Sequence, residues 1–122
     1  MEPHYKKILI KQLDESLSTL LLNIQFHKIG AYTIDVENML LIYKEEKVSI
    51  TAKESYLLVY FAHHLNQLVM REDVLNSIWN STDPRCARSM DVYVVSMRKL
   101  LSKDQNIEII TIHGKGLKLM VR

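Results

Sequence analysis

Cysteine is almost missing from this sequence. Cys86 stands alone in 122 residues, which excludes an internal disulfide framework and fits a reducing compartment, the cytoplasm by default. Glycine and proline are scarce, at three and two, and no low-complexity tract interrupts the chain. No stretch reaches the ~18 consecutive apolar residues that a membrane span requires. KKILIKQL resembles the start of a signal peptide, but Asp14 and Glu15 interrupt it and no small-residue cleavage site follows. A convergent set of acids, bases or metal ligands is lacking as well. His63 and His64 are adjacent, so on a helix they point in different directions, and no Glu-x-x-His spacing accompanies them. A zinc site from His63, Cys86 and His113 would need a coincidence in space, and nothing near Cys86 suggests an oxyanion site. Neither an enzyme nor a cofactor nor a bound metal is expected.

What is present describes a globular protein. With 48% hydrophobic and 25% charged residues, the chain can bury one core without disulfides or metal. Net charge is only +2, but it is unevenly distributed. Residues 85 to 122 hold eight Lys and Arg against three acids, leaving eight against eleven in the first 84. A basic C-terminal third on a mildly acidic remainder points to a face attracted to polyanions.

Organisation follows from the patterning. Residues 1–23 carry Ile8, Leu9, Leu13, Leu17, Leu20 and Leu21 at mostly helical intervals and read as a linker or the remnant of a preceding domain. Residues 24–122 read as the folded domain. From Ile24 to Ile50 come short β-branched and aromatic runs punctuated by Gly30, Glu37–Asn38 and Glu45–Glu46, predicting a four-stranded meander. Thr51 followed by Glu54 has the form of a capping box opening a helix over TAKESYLLVYFAHHLNQ, with Leu57, Leu58, Phe61, Ala62 and Leu65 as its apolar stripe. LVM at 68–70 reads as a brief extended link, REDVLNSIW as a second helix, and NSTDPR as a loop. A third helix covers 85–101, burying Met90, Val94, Met97 and Leu101. IEIITIH, GKG and LKLMV then form a hairpin whose two glycines allow positive φ at its tip. The expected fold is α+β: a winged helix-turn-helix behind an N-terminal four-stranded antiparallel sheet, with three helices and a C-terminal β-hairpin.

The other side of helix 85–101 carries Arg88, Ser89, Val92, Tyr93, Ser96 and Lys99, a mixture of cations, small hydroxyls, valine and tyrosine without an acid. Such a face suits duplex DNA. Cations neutralise phosphates, short hydroxyls let a helix sit deep and bond to either kind of partner, and valine or tyrosine can pack on thymine methyls. Val92 and Tyr93 have a second use, packing against a neighbouring element. Asp91, among these cations, is expected to pair with a nearby arginine.

These segments, in order, resemble a known family. ITAKESYLL, REDVLNSIWN, RSMDVYVVSMRKLL and TIHGKGLKL, with the four-stranded platform before them, are similar to the DNA-binding effector domain of OmpR/PhoB-type response regulators. The resemblance covers roughly four-fifths of the chain, from about Phe26 onward. It implies that Arg88, Ser89, Val92, Tyr93 and Ser96 face bases and flanking phosphates, that Arg98 and Lys99 contact phosphates, and that Thr111, His113 and Lys115 meet the backbone and minor groove. It further implies RNA polymerase contact through loop 80–87, head-to-tail pairing of copies on DNA, and a receiver domain and sensor kinase in the full-length protein. This chain has no room for a receiver, so it reads as an effector domain that is cut from a longer regulator or stands alone. His113 replaces the usual arginine, Met70 a helix-capping serine and Leu117 a tyrosine; a basic residue is common where Val95 or Ser96 stands. The alternative reading is a winged-helix module whose exposed face binds another protein, which differs from DNA binding in its response to salt.

Overall fold

A computed structural model describes residues 25–122; the segment read as a linker or domain remnant, 1–23, lies outside the described residues. Four short strands, β1 Phe26–Ile29, β2 Tyr32–Asp35, β3 Leu40–Tyr43 and β4 Glu46–Ser49, pair antiparallel in chain order, as the meander predicts. Alternation puts His27, Ile29, Tyr32, Ile34 and Leu41 on the inner, buried face. Gly30 turns β1 into β2 at φ +55°, and a Cβ there would lie 2.6 Å from Asp104 Oδ2. The Asp104 carboxylate needs that room. It accepts from the Ala31 and Asn106 N–H groups, each at 2.9 Å, and so ties the platform to the chain leaving the last helix.

The inner face packs on α1, Ala52–Ala62. Its capping box is formed: Thr51 Oγ1 accepts from Glu54 N–H at 3.1 Å, and Glu54 Oε1 accepts from Thr51 N–H at 2.8 Å. The structure departs from the sequence reading in two ways. Five consecutive residues, Leu57 to Phe61, are buried, because α1 lies between the sheet and the other helices and has no solvent side there. The helix also stops at Ala62 instead of reaching Gln67. Asn66 takes positive φ, donates its N–H to the Leu119 carbonyl and accepts the Val121 N–H, so the chain leaves the helix to meet the last strand.

LVM is not a simple link. It is β5, Leu68–Met70, which pairs with β7, Gly116–Val121; β7 in turn pairs with β6, Ile107–Ile112. The hairpin is thus two-thirds of a three-stranded sheet in the order β5-β7-β6. Only one of its tip glycines has the predicted use. Gly114 sits at φ +72° in open space, whereas Gly116 serves β5, since a Cβ on it would lie 2.0 Å from the Val69 carbonyl oxygen.

Between β5 and the loop comes α2, an α-helix over Arg71–Val74 that widens to a π-helix over Leu75–Trp79 and ends at Asn80 in the left-handed region. Ser77 Oγ donates to the Asp73 carbonyl at 2.6 Å inside this wider turn. Met70 occupies the N-cap position with no side-chain hydrogen bond to offer. Met70→Ser should therefore add about 1 kcal/mol, raising the melting temperature by about 4–8 °C in a thermal unfolding scan. An unchanged or lower value would show that β5 depends on the methionine side chain more than α2 needs a cap.

Helix α3, Pro84–Leu100, opens on Asp83, whose carboxylate accepts the Arg85 N–H at 2.8 Å, with proline at the first position. Met90, Val94 and Met97 along it, and Leu101 just beyond, are buried as their spacing predicts.

Candidate nucleic-acid interface

The side of α3 away from the core is the candidate site, and its neighbours divide it into three strips. At about 100° per residue, Arg88, Val92, Val95 and Lys99 fall within roughly 60° of arc, opposite the buried methionines. All four are exposed, Val92 to 68% and Val95 to 51%. Among the described residues the side chains of Arg88 and Lys99 have no hydrogen-bond or ion-pair partner, so their charges face solvent.

Toward α1 and α2 lie Ser89, Tyr93 and Ser96, which the sequence reading put on the open face. Each is half-buried and has a partner within the fold. Ser89 Oγ accepts the Trp79 indole N–H at 3.3 Å, and Tyr93 meets the Trp79 ring edge-on with centroids 5.8 Å apart. Ser96 Oγ donates to Glu54 Oε2 at 2.5 Å. Glu54, read from sequence only as a cap, thus joins the start of α1 to α3. Trp79 at the end of α2 thus covers Ser89 and Tyr93, and Glu54 at the start of α1 engages Ser96.

Toward the wing lie Asp91 and Arg98. Asp91 pairs with an arginine as expected, Arg71 at the start of α2, at 2.7 Å. Arg98 Nη2 donates to the Ile109 carbonyl at 3.2 Å and to Thr111 Oγ1 at 3.0 Å. Arg98 therefore fastens the wing alongside α3, and Thr111 is held by it. His113 and Lys115 stand exposed at the wing tip on either side of Gly114. Of the ten residues predicted from sequence, Arg88, Val92, Lys99, His113 and Lys115 are exposed, with side chains that have no internal polar partner among the described residues; the other five are also joints of the fold. Val95 was passed over, though it stands three residues after Val92 and four before Lys99.

Four ionisable groups make the stability of the fold depend on pH in one direction. Burial pushes the Glu54 carboxyl up, but the Ser96 hydroxyl and the Thr51 N–H outweigh it and hold the carboxyl below its usual range. At Asp35 burial likewise pushes the carboxyl up, and hydrogen bonds from Asn38 and Gln25 outweigh it and hold the carboxyl below its usual range. The Ala31 and Asn106 N–H groups lower Asp104. Burial, then the neighbouring His64, pushes His63 down; its Nε2 lies 3.1 Å from His27 Nδ1. In every case the unfolded chain holds more protons than the folded one between the two pKa values, so stability falls as pH falls. The melting temperature should drop first as pH goes below the ordinary histidine value, about 6.5, and again below about 4. A flat profile from pH 7.5 to 5 would contradict the histidine step.

No group of three or more His, Cys, Asp or Glu among the described residues could hold a metal ion, and no described helix is long and apolar enough to cross a membrane. A helix, a short loop and a second helix carrying an open basic and apolar row, flanked by a glycine-tipped ribbon, define a winged helix-turn-helix domain.

Comparison with known proteins gives the family. The model for "Transcriptional regulatory protein, C terminal" matches residues 45–119, more than half of the chain. The chain is 43% identical over 94 residues to the transcriptional regulatory protein RprY of Bacteroides fragilis, covering 77% of this chain and 40% of that protein. The DNA-binding domain of Klebsiella pneumoniae RstA, solved in complex with RstA box, matches with TM-score 0.65 at 26% identity over 80% of this chain and 98% of that one. The DNA-binding domain of CpxR from E. coli matches in fold, with TM-score 0.68 at 18% identity over 79% and 96%. The chain belongs to this family: it is an effector domain of the OmpR/PhoB type, and the family is one of transcriptional regulators. It spans about two-fifths of the length of RprY.

Proposed function

We propose that this domain binds double-stranded DNA in a sequence-specific manner as the output domain of a two-component transcription regulator acting in the cytoplasm. The observation that carries the reading is the row Arg88, Val92, Val95 and Lys99 on the solvent side of α3, with the wing fastened beside it by Arg98 and Thr111. In this reading α3 lies in the major groove, which admits a helix, and the wing brings His113 and Lys115 to the adjacent minor groove. Ser89, Tyr93 and Ser96 act from the flank, where they also hold the helix in place. Arg98 and Thr111 meet phosphates with the groups left over from their mutual bond.

The finer parts of the proposal rest on the family. Copies sit head-to-tail, which requires two different complementary surfaces. Two apolar faces support this: Phe26 on the platform, and Leu68 and Met70 on the wing sheet, are each about half exposed. Segment 80–87, which is loop to Asp83 and the first turn of α3 from Pro84, meets RNA polymerase, with Asn80, Thr82, Pro84 and Arg85 exposed along it. A receiver domain phosphorylated by a sensor kinase controls the output in the full-length protein. No catalytic step is assigned to the chain.

The exposed valines also suit a protein partner, so the test must separate the two. Selecting bound duplexes from a random pool at low salt, then titrating the winner with added salt, does so. Recovery of a shared sequence, with log affinity falling linearly against log salt at a slope of about −4 to −6, is expected for ~4–7 phosphate contacts. Failure to enrich any duplex, or affinity indifferent to salt, would favour the protein-binding module.

A further inference from the structure

We propose that the middle of this domain's DNA site is read through thymine 5-methyl groups by Val92 and Val95. The proposal deepens the DNA-binding reading above and rests on it.

The polar groups flanking the centre of α3 are largely committed within the fold. Ser96 has one hydroxyl hydrogen and gives it to Glu54, while Ser89 takes the Trp79 indole N–H. Asp91 is held by Arg71, and Arg98 gives Nη2 to the wing. Tyr93, the aromatic candidate for methyl packing, lies against Trp79. What is left exposed and uncommitted at the centre of the midline is therefore a pair of valines, between Arg88 at one end and Lys99 at the other.

Neither valine has a local reason to be there. β-Branched side chains lose rotamer freedom in a helix and gain nothing from exposure. In the major groove they gain a partner, because thymine alone among the four bases presents a methyl group there. Valine is short and stiff, so it lets the helix approach closely and loses little entropy on contact. Residues three apart are separated by about 4.5 Å along the helix axis. One base-pair step is about 3.4 Å. The two side chains therefore reach thymines within a step or two of each other, while Arg88 and Lys99 are placed for the backbone or the outer base pairs.

The test deletes the methyl groups alone. In the duplex recovered from the random pool, each thymine is replaced in turn by deoxyuridine, and binding of the full chain is measured by fluorescence anisotropy. One or two positions should lose about fourfold in affinity each, the value of one buried methyl, with the salt slope unchanged. Val92→Ala and Val95→Ala should each erase the preference for thymine over deoxyuridine at one of those positions. Both side chains are exposed and alanine is the better helix former, so melting temperatures should equal or slightly exceed the parent's and exclude misfolding as the cause. Tight binding with every deoxyuridine duplex within twofold of its parent, or valine variants that keep the full preference, would overturn the methyl reading and leave DNA binding standing. Failure of any duplex to bind at low salt would instead remove the DNA-binding reading, and this inference with it.

Discussion

Gly116→Ala is expected to destabilise the domain by roughly 3–5 kcal/mol, enough to lower its melting temperature by at least ~15 °C. The new Cβ would lie 2.0 Å from the Val69 carbonyl oxygen and 2.9 Å from its carbon, a backbone contact that no rotamer change relieves. β5 must then separate from β7, losing the pairing of Val69 with Leu117 and of Met70 with Gly116. Those residues lead directly into α2, so the damage passes from the wing sheet to the helix pair. Gly114→Ala is the control. It has open space and only its positive φ to pay for, about 1–2 kcal/mol. If circular-dichroism melts show the two alanines equally harmful, the close approach of β5 to β7 is not what selects glycine at 116.

The second large effect is on binding. Removing both partnerless cations of the α3 row, Arg88→Ala with Lys99→Ala, should weaken DNA binding roughly 100-fold if each loses one charge-assisted contact. The salt slope should shrink by about 1.8, at ~0.9 per phosphate contact. Stability should not change, because neither side chain has a partner within the described fold to lose. Arg98→Ala should behave differently, weakening binding while also lowering the melting temperature, since it releases the Ile109 carbonyl and Thr111. Retention of parental affinity and slope by the double variant would place the DNA on another surface.

Local signals were reliable where the physics is local. Thr51 and Glu54 lie one helical turn apart and cap each other, and the spacing of Met90, Val94, Met97 and Leu101 defines the buried side of α3. The order of strands and helices, and hence the winged-helix outline, followed from such signals and from the family motifs.

The site was only half legible. Sequence spacing divides a helix into a buried and an open side, but it does not tell which open residues meet a neighbour. Ser96 and Glu54 are 42 positions apart and Arg71 and Asp91 are 20 apart, so no periodicity within a segment announces either contact. The sequence alone determined the order of the main elements, the cap of α1, the core side of α3 and the kind of surface opposite it. The tertiary structure decided that LVM is a strand, that Gly116 is required by a neighbouring backbone, and that the open row is Arg88, Val92, Val95 and Lys99. Each of those depends on which distant segments approach one another, and packing settles that only when the whole core closes.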